Sequence, residues 1–466
     1  MASLVSLRML LAAGLALGAV ATACAPAETT PAAAPESELT VLPAAAPERT
    51  PGDLRIVLPE LADSWDPALA TTPAEVQQIQ HVMEPLLRLD PDGTTFRSGL
   101  ARSWTYDEDE LTFAVELEPD ARFSTGAPVT ADDVAFSVAD WQAGARFGDR
   151  YDVIETTTIV DDQTLVFELS AATPDLELHL SQAAAAIVPA NYAGRTRGDF
   201  FERPVGAGPY RIASWTPESE LVLATNPVSH RLQDLAFDTV VMAAEPDDAA
   251  RLAEYRSGAA DIVSIQSWDI PELPAEQVVR AAPHQLTFVG LNRRRPVVDP
   301  EVQGALAAVL DYPAMADLAE GTMAIPYGAD GTTRPAVAAG AAPTLDQAEL
   351  VFDETNRDHR RLAGSVRAAV AGLGHSIRVS GLDPETFDER RGAGDYDLIL
   401  VQTDALQSQA DLPDDAEFLP LVAHRAAFAR QLDVGGFAPL SIGTWWFDDL
   451  NAAERDDQPE GEAAER

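Results

Sequence analysis

Short apolar segments with strand character alternate with amphipathic segments along most of this chain, and this alternation restricts the fold class. Arg55–Leu58 has the apolar pattern of a short strand. Residues 111–117 and 164–169 alternate apolar and polar side chains, which is the period-two pattern of half-buried strands. Further strand patterns lie near residues 239–242, 286–291, 376–379 and 397–402.

Helix patterns lie between these strands. Thr130 followed by Asp133 is typical of a helix N-terminus, where Asp132 and Asp133 serve a structural role. Residues 302–310 form a second amphipathic pattern, and residues 366–373 form a third that Gly374 ends. The mixture predicts an α/β fold with mixed α+β insertions that are richest in strands in the first third.

The length and the charge exclude several kinds of protein. With 466 residues, 46% of them hydrophobic, the chain is too long for one ordinary domain, so we expect two or three packed units. Its 75 acidic against 32 basic residues give a net charge of −43, and every basic residue is Arg. Such a surface repels nucleic acid, so no nucleic-acid partner is expected. Without Lys there is no P-loop lysine and no Schiff-base lysine.

The single cysteine, Cys24, follows a pattern typical of exported proteins. Residues 1–23 carry one charge, Arg8, ahead of an apolar run, which predicts a secretory signal too short for a comfortable membrane span. The stretch from Ala21 to Cys24 resembles a lipobox, in which the cysteine becomes the acylated N-terminus of a bacterial lipoprotein. An ordinary signal peptide with an incidental cysteine is the alternative. One cysteine allows neither an intramolecular disulfide nor a cysteine-based zinc cluster.

The two ends of the mature chain have the composition of unstructured segments. Residues 24–52 are rich in Ala, Pro, Thr and Glu, which predicts a semi-extended tether. Residues 451–466 are acidic and lack apolar periodicity, which predicts a disordered tail.

An ordered series of motifs resembles one known family. The most specific runs from Ala121 to Val134 and reads ARFSTGAPVTADDV. The others are Trp65–Ala68, His81–Asp90, Gly99–Trp104, Pro204–Tyr210, Arg251–Asp261, Gly290–Asn292, Leu310–Asp311, Leu419–Leu421 and Gly435–Phe437. Over about residues 53–450 this succession resembles the family-5 extracellular solute-binding proteins of ABC transporters, which include dipeptide, oligopeptide and nickel binders.

The resemblance implies a two-lobed, periplasmic-binding-protein-like type II fold with a hinge and an interlobe cleft. On this basis residues 53–284 form lobe I, residues 285–424 form lobe II, and residues 425–450 return to lobe I. Only a short stretch separates Asp404 from Leu419, where the family continues through a long ligand-facing region. Lobe II is therefore expected to be shortened.

The resemblance also implies a function. We expect an extracytoplasmic protein, lipid-anchored to the cell membrane through Cys24, on its outer face or in the periplasmic space. It would act as a monomer that captures a peptide or another small solute, such as a nickel chelate or a sugar, and delivers it to an ABC permease and its ATPase. A degenerate member that acts as a ligand sensor or a surface structural protein is the alternative.

A surface-anchored enzyme is a further alternative that the sequence disfavours. It contains neither HExxH nor Gly-x-Ser-x-Gly, and its seven histidines lack close metal-ligand spacing. No catalytic residue, cofactor or metal is expected.

Two candidate ligand-binding groups follow strand patterns. Asp404 follows the strand near residues 397–402, where peptide-binding relatives pair a carboxylate with the α-ammonium of the peptide. Capping of the strand end is its alternative role. Ser64, Trp65 and Asp66 follow the first strand and are expected to face the cleft, with burial in the core as the alternative for Trp65.

Further candidates lie later in the chain. Gln266, Ser267 and Trp268 follow the strand pattern at residues 261–263. Trp445 stands beside Trp446, and on a strand one of them would face the cleft, with core packing as the alternative. The arginine run 293–295 could meet a ligand carboxylate or form a solvated, ion-paired face.

Overall fold

A computed structural model of the chain describes residues 52–70, 72–144, 146–283, 285–295, 302–319, 321–324, 326, 345, 347–403, 416–440 and 443–452. Cys24, Asp404 and the tether before Gly52 lie outside the described residues. The tail from residue 453 onward lies outside them as well.

The strands of the described residues, in chain order, are β1 Asp53–Leu58, β2 Leu87–Leu89, β3 Phe96–Ser98, β4 Ala101–Asp107, β5 Thr112–Leu117, β6 Ile154–Asp161, β7 Thr164–Leu169, β8 Tyr210–Thr216, β9 Glu220–Thr225, β10 Thr239–Ala244, β11 Ile262–Ile265, β12 Val278–Arg280, β13 Gln285–Asn292, β14 Met323–Ala324, β15 Glu349–Asp353, β16 Arg378–Leu382, β17 Leu398–Thr403, β18 Ala416–His424, β19 Ala427–Arg430, β20 Val434–Gly435 and β21 Asn451–Ala452.

The α-helices of the described residues are α1 Pro73–Ile79, α2 Ala131–Gln142, α3 Leu176–Leu180, α4 Arg197–Glu202, α5 Asp248–Arg256, α6 Val302–Val309, α7 Tyr312–Ala316, α8 Arg357–Gly372 and α9 Pro384–Ala393. Short 3₁₀ turns connect several of them.

A seven-stranded mixed sheet in the order β12-β19-β11-β1-β10-β9-β8 organises the first lobe. Strand β1 runs parallel to both of its neighbours, β10 and β11, so the carboxyl ends of these three strands meet at one edge. Leu54 and Ile56 of β1 are fully buried on one face of this sheet, and Val57 is fully buried on the other. Both faces of β1 are covered, as is typical of a parallel strand.

A six-stranded mixed sheet in the order β14-β18-β13-β17-β15-β16 organises the second lobe. Strand β15 runs parallel to β16 and β17, whereas β13 runs antiparallel to β17 and β18. Helices α6, α7 and α8 supply the apolar side chains that pack with Leu350 and Leu398 in the core of this lobe. The chain enters this lobe from β12 to β13 and leaves it from β18 to β19.

An antiparallel four-stranded sheet in the order β4-β5-β7-β6 packs against α2 and confirms that strands dominate the first third. Phe113 and Phe167 are cross-strand partners at the centre of its core. The predicted start of α2 is also confirmed, since Thr130 and Asp133 form a capping box.

One predicted helix is longer than the sequence pattern suggested. The pattern at residues 366–373 is the second half of α8, which begins at Arg357. Leu362 and His359 continue the buried stripe one and two turns earlier. Because the first of these buried positions is a histidine, an apolar pattern does not include it. At the other end of the chain, Asn451 and Ala452, assigned to the tail, pair with β20.

The two sheets, each with its own apolar core and linked by two chain crossings, form the two-lobed α/β architecture that the sequence predicted.

Candidate functional site

A cavity of about 760 Å³ lies between the two sheets, and residues from both of them line it. Its walls are built from the carboxyl ends of parallel strands and the loops that follow. This edge of an α/β sheet is where ligands bind, because the loops there can converge without disturbing the sheet.

The first wall comes from loops of the seven-stranded sheet. Pro59 and Glu60 follow β1 at this wall, and Gln266, Ser267 and Trp268 follow β11. The backbone N–H of Gln266 donates to Asp269 at 2.9 Å, which fixes the start of that loop. The three predicted residues after β11 therefore line the cavity together.

The second wall comes from the loop between β15 and α8. Asn356 begins α8, and its side-chain oxygen accepts hydrogen bonds from the backbone N–H groups of Asp358 and His359, both at 3.0 Å. This capping holds the first turn of α8 against the cavity, where Arg357 and Asp358 line it. Arg357 reaches the opposite wall and lies over the indole ring of Trp268.

Trp445 lines the cavity from the C-terminal segment, and its backbone is held by polar side chains of α1 and the residues after it. Its N–H donates to Gln77 at 2.8 Å. Its carbonyl oxygen accepts from the side-chain amides of Gln80 at 2.8 Å and Gln77 at 3.1 Å, and lies 3.0 Å from His81 Nε2. Burial lowers the pKa of His81 to about 3, so a neutral ring makes this contact at neutral pH.

The ring of Trp445 is packed into an aromatic group rather than extended into the cavity. Phe428 and Phe437 lie edge-on to it, with centroid distances of 5.1 and 4.9 Å, and its side chain is 1% exposed. The sequence left two alternatives for Trp445, facing the cleft or packing in the core. The structure combines them, because the indole belongs to the core and also lines the cavity. The neighbouring Trp446 stacks under the guanidinium of Arg88.

A buried ion pair fixes the segment that carries Trp445. Arg88 donates two hydrogen bonds to the carboxylate of Asp448, at 2.5 and 2.7 Å, and both side chains are almost fully buried. Burial alone would raise the pKa of Asp448, but the charge and hydrogen bonds of Arg88 lower it to about 2. The pair therefore stays ionised at neutral pH.

The predicted loop after β1 is placed elsewhere. Trp65 is fully buried in the core of the first lobe, where it packs edge-on to Trp215 with a centroid distance of 5.7 Å. Asp66 pairs with Arg197 and caps the next turn by accepting from Ala68 N–H at 3.0 Å. Ser64 accepts from Asp66 N–H at 3.1 Å. Because these contacts turn the loop into the lobe, Ser64, Trp65 and Asp66 do not line the cavity.

The arginine run 293–295 is also placed away from the cavity lining. Arg293 pairs with Glu417, and Arg295 pairs with Asp395. Both pairs lie at the six-stranded sheet, which is the ion-paired alternative considered for this run.

The sequence patterns did not predict several of the residues that line the cavity. The loop from Asp353 to Asp358 follows β15, whose sequence ELVFD is an apolar run ahead of a capping Asn. The same rule that singled out the residues after β11 would have found it. Arg425 and Gln402 also line the cavity, and no sequence pattern marks them.

Four polar groups of the cavity lining lack a hydrogen-bond partner among the described residues. They are the hydroxyl of Ser267, the indole N–H of Trp445, the Nε–H of Arg425 and Oδ1 of Asp358. Buried polar groups are normally satisfied, so these four are places where a bound solute or water can supply the missing partner. The arrangement can hydrogen-bond a small polar molecule and enclose it between two lobes.

The described residues lack two further features. None of their helices has both the length and the apolar character that crossing a bilayer requires. They also contain no cluster of three or more His, Cys, Asp or Glu side chains placed to hold a metal ion.

Comparison with known proteins gives consistent relatives. The chain is 24% identical over 340 residues to a probable D,D-dipeptide-binding periplasmic protein of Escherichia coli. The aligned region covers 67% of this chain and 66% of that protein, which is just under two thirds of the relative's length. It is 23% identical over 398 residues to the nickel-binding periplasmic protein of the same organism, covering 80% of this chain and 72% of the relative.

The solved structures share the fold. The ABC transporter substrate binding protein CtaP of Listeria monocytogenes superposes with a TM-score of 0.71 at 17% identity, covering 87% of this chain and 100% of that structure. The family model of bacterial extracellular solute-binding proteins, family 5, matches residues 95–428, which is well over half of the chain. The chain therefore belongs to the bacterial extracellular solute-binding proteins of family 5.

Proposed function

We propose that this protein captures a peptide or another small polar solute between its two lobes and delivers it to the permease of an ABC importer. The observation that carries the proposal is the cavity of about 760 Å³ whose two walls come from different sheets. A solute held there contacts both lobes only when they are closed, so binding favours the closed form. Family-5 proteins bind solutes and are not enzymes, which is why no catalytic group is assigned.

The names of the relatives support a peptide-like or chelate-like solute. Relatives are described as binding D,D-dipeptides, nickel and di- or tripeptides. The volume of the cavity also lies within the range of small-molecule sites, which is about 300–1,000 Å³. We propose residues 53–284 and 425–450 as lobe I and residues 285–424 as lobe II, because the strands of the two sheets divide at these positions.

We further propose that Cys24 is lipidated and holds the protein at the outer side of the cell membrane, with residues 24–52 as the tether. The apolar run before the only cysteine supports this assignment. A monomer is the working state, because one chain supplies both walls of the cavity. The shortened lobe II stays a prediction, as does the role of Asp404.

A thermal-shift screen of residues 53–452 tests the proposal. The library contains di- to hexapeptides, nickel–histidine and oligosaccharides. A ligand at one hundred times its dissociation constant adds about 2.7 kcal/mol to the free energy of unfolding, which is readily measured. Gln266→Trp, which fills the cavity, should abolish the shift, and Thr216→Trp, on an exposed position of β8, should preserve it. A well-folded protein that no compound stabilises would contradict importer function and favour the sensor or structural alternative.

A further inference from the structure

Arg425 lies in one of the two chain crossings between the lobes. It occupies the two-residue connection between β18, which ends at His424, and β19, which begins at Ala427. Its backbone N–H donates to Thr322 in the second lobe at 2.8 Å. The carbonyl of the next residue, Ala426, accepts from Ala281 in the other crossing at 2.9 Å. The backbone of this crossing is therefore held by the second lobe and by the other crossing.

The side chain of Arg425 has no counter-charge among the described residues. It lines the cavity, its Nε–H is buried without a hydrogen-bond partner, and it forms no ion pair with a described residue. In a chain with a net charge of −43, many other described arginines are paired with carboxylates, as Arg88 is with Asp448. A buried donor without an acceptor is destabilising, so the Nε–H of Arg425 marks a position for an acceptor that the described residues do not supply.

A second unpaired donor lies in the same part of the cavity lining. In the antiparallel pairing of β11 with β19, Ile265 stands opposite Ala427. Ser267, which follows β11, and Arg425, which precedes β19, therefore leave the same end of this strand pair, and both line the cavity. The hydroxyl of Ser267 is buried, with the residue 4% exposed, and has no partner among the described residues. A guanidinium and a free hydroxyl together match an oxyanion.

None of the carboxylates of the cavity lining forms an ion pair with Arg425. Asp248 pairs with Arg251 at the start of α5. Asp353 accepts from Thr355 N–H at 2.9 Å, and Asp358, whose Oδ1 accepts no hydrogen bond from a described residue, lies 3.7 Å from Arg361. The fourth carboxylate, Glu60, lies in an exposed position after β1.

We propose that Arg425 is the anchor for an anionic group of the bound solute, a carboxylate or a phosphate, and that Ser267 supplies a second hydrogen bond to the same group. The inference rests on the proposed solute-binding function and deepens it by naming the charge of the solute at the hinge. Because the anchor lies in a crossing, a bound anion lies against both lobes at once. Arg425 therefore determines which solutes are bound.

The test compares compounds that differ in one anionic group. Isothermal titration calorimetry measures the binding of di- and tripeptides against their C-terminal amides, succinate against succinamide, and glucose 6-phosphate against glucose. Each compound is titrated into the wild type, Arg425→Gln, Arg425→Lys and the control Arg357→Gln. Arg357 is a suitable control because it is the other arginine of the lining and also has no carboxylate partner among the described residues. Thermal melts verify that each variant is folded.

The expected result is that every compound that binds carries the anionic group and that its neutral counterpart binds at least about tenfold more weakly to the wild type. Arg425→Gln should abolish that preference, Arg425→Lys should restore part of it, and Arg357→Gln should keep it. The series that binds distinguishes a carboxylate from a phosphate. A preference that survives in folded Arg425→Gln, or neutral compounds that bind the wild type equally well, would overturn the anchor and leave solute binding intact. Failure of every compound to bind would overturn both.

Discussion

The guanidinium carbon of Arg357 lies 4.4 Å from the centroid of the indole ring of Trp268. Arg357 is the first residue of α8 in the second lobe, and Trp268 follows β11 in the first lobe. The contact therefore connects the two walls of the cavity directly. A cation–π pair of this kind stabilises by about 0.5–1 kcal/mol at an exposed site.

We predict that this contact favours the closed form and so strengthens binding. Arg357→Gln and Trp268→Leu should each weaken the binding of a solute found in the screen by about two- to fivefold, measured by calorimetry. Each variant removes the same contact. The double variant should therefore bind the solute no more weakly than the single variant with the lower affinity. Fully additive losses would show that the two residues contact the solute independently.

The buried His81 should make stability depend on pH. Its pKa is lowered by burial to about 3 in the folded state, against 6.5 for an unperturbed histidine, so the unfolded chain takes up a proton that the folded chain does not. The stabilisation is fully present above about pH 6.5 and is lost as the pH falls from there towards 3, by up to about 1.4 kcal/mol per pH unit.

Chemical unfolding between pH 4 and 7 tests this linkage. The free energy of unfolding of His81→Phe should depend less steeply on pH than that of the wild type. The control Phe447→Leu removes the ring that stacks on His81 at 3.6 Å without removing the titrating group. It should lower stability and keep the slope. Equal slopes for His81→Phe and the wild type would show that His81 titrates normally in the folded protein.

Asp448→Asn should be strongly destabilising. It leaves Arg88 charged and 1% exposed without its carboxylate, which costs about 3–5 kcal/mol in the free energy of unfolding. The neighbouring pair of Arg97 with Asp449 is about one third exposed, so the control Asp449→Asn should cost about 1 kcal/mol or less. Urea unfolding at pH 7 measures both, and similar losses would contradict the role assigned to burial.

Gly206→Ala should also be strongly destabilising, because an added Cβ would lie 1.7 Å from the backbone oxygen of Val82. Separating these two backbone segments costs about 3 kcal/mol. At Gly198, in α4, an added Cβ meets no atom within 4 Å, so Gly198→Ala should be neutral or stabilising by up to about 1 kcal/mol. Melting temperatures of the two variants give the comparison, and an unaffected Gly206→Ala protein would contradict the close approach.

Cys24→Ser should release the full-length protein from membranes. Acyl chains hold a soluble domain at a bilayer, and the variant cannot carry them. Fractionation of cells that express the wild type and the variant measures the membrane-bound share. A variant that remains with the membrane fraction to the same extent would contradict lipid anchoring.

The sequence predicted those parts of the fold that depend on local periodicity. The alternation at residues 164–169 is β7, and the capping pair of Thr130 and Asp133 begins α2. Partner choice between strands is not local, so the position of β19 between β11 and β12 had no signal in the chain.

The candidate site was predicted in part for the same reason. The rule that loops after parallel strands carry ligand groups applied to Gln266, Ser267 and Trp268, which line the cavity. It did not apply to Trp65, because a contact with Trp215, 150 positions later in the chain, turns that loop into the core. Arg425 carries no pattern at all, and its importance comes from the absence of a nearby carboxylate among the described residues.

The order of strands in the first lobe has a consequence for folding during synthesis. Strand β19, near the end of the described chain, pairs with β11 on one side and β12 on the other, so the seven-stranded sheet lacks an inner strand until Arg430 has been made. Until then β11 keeps an open edge, and the nascent chain cannot close its first lobe. Such a long-range requirement delays folding and leaves an unpaired strand edge exposed while the chain is incomplete.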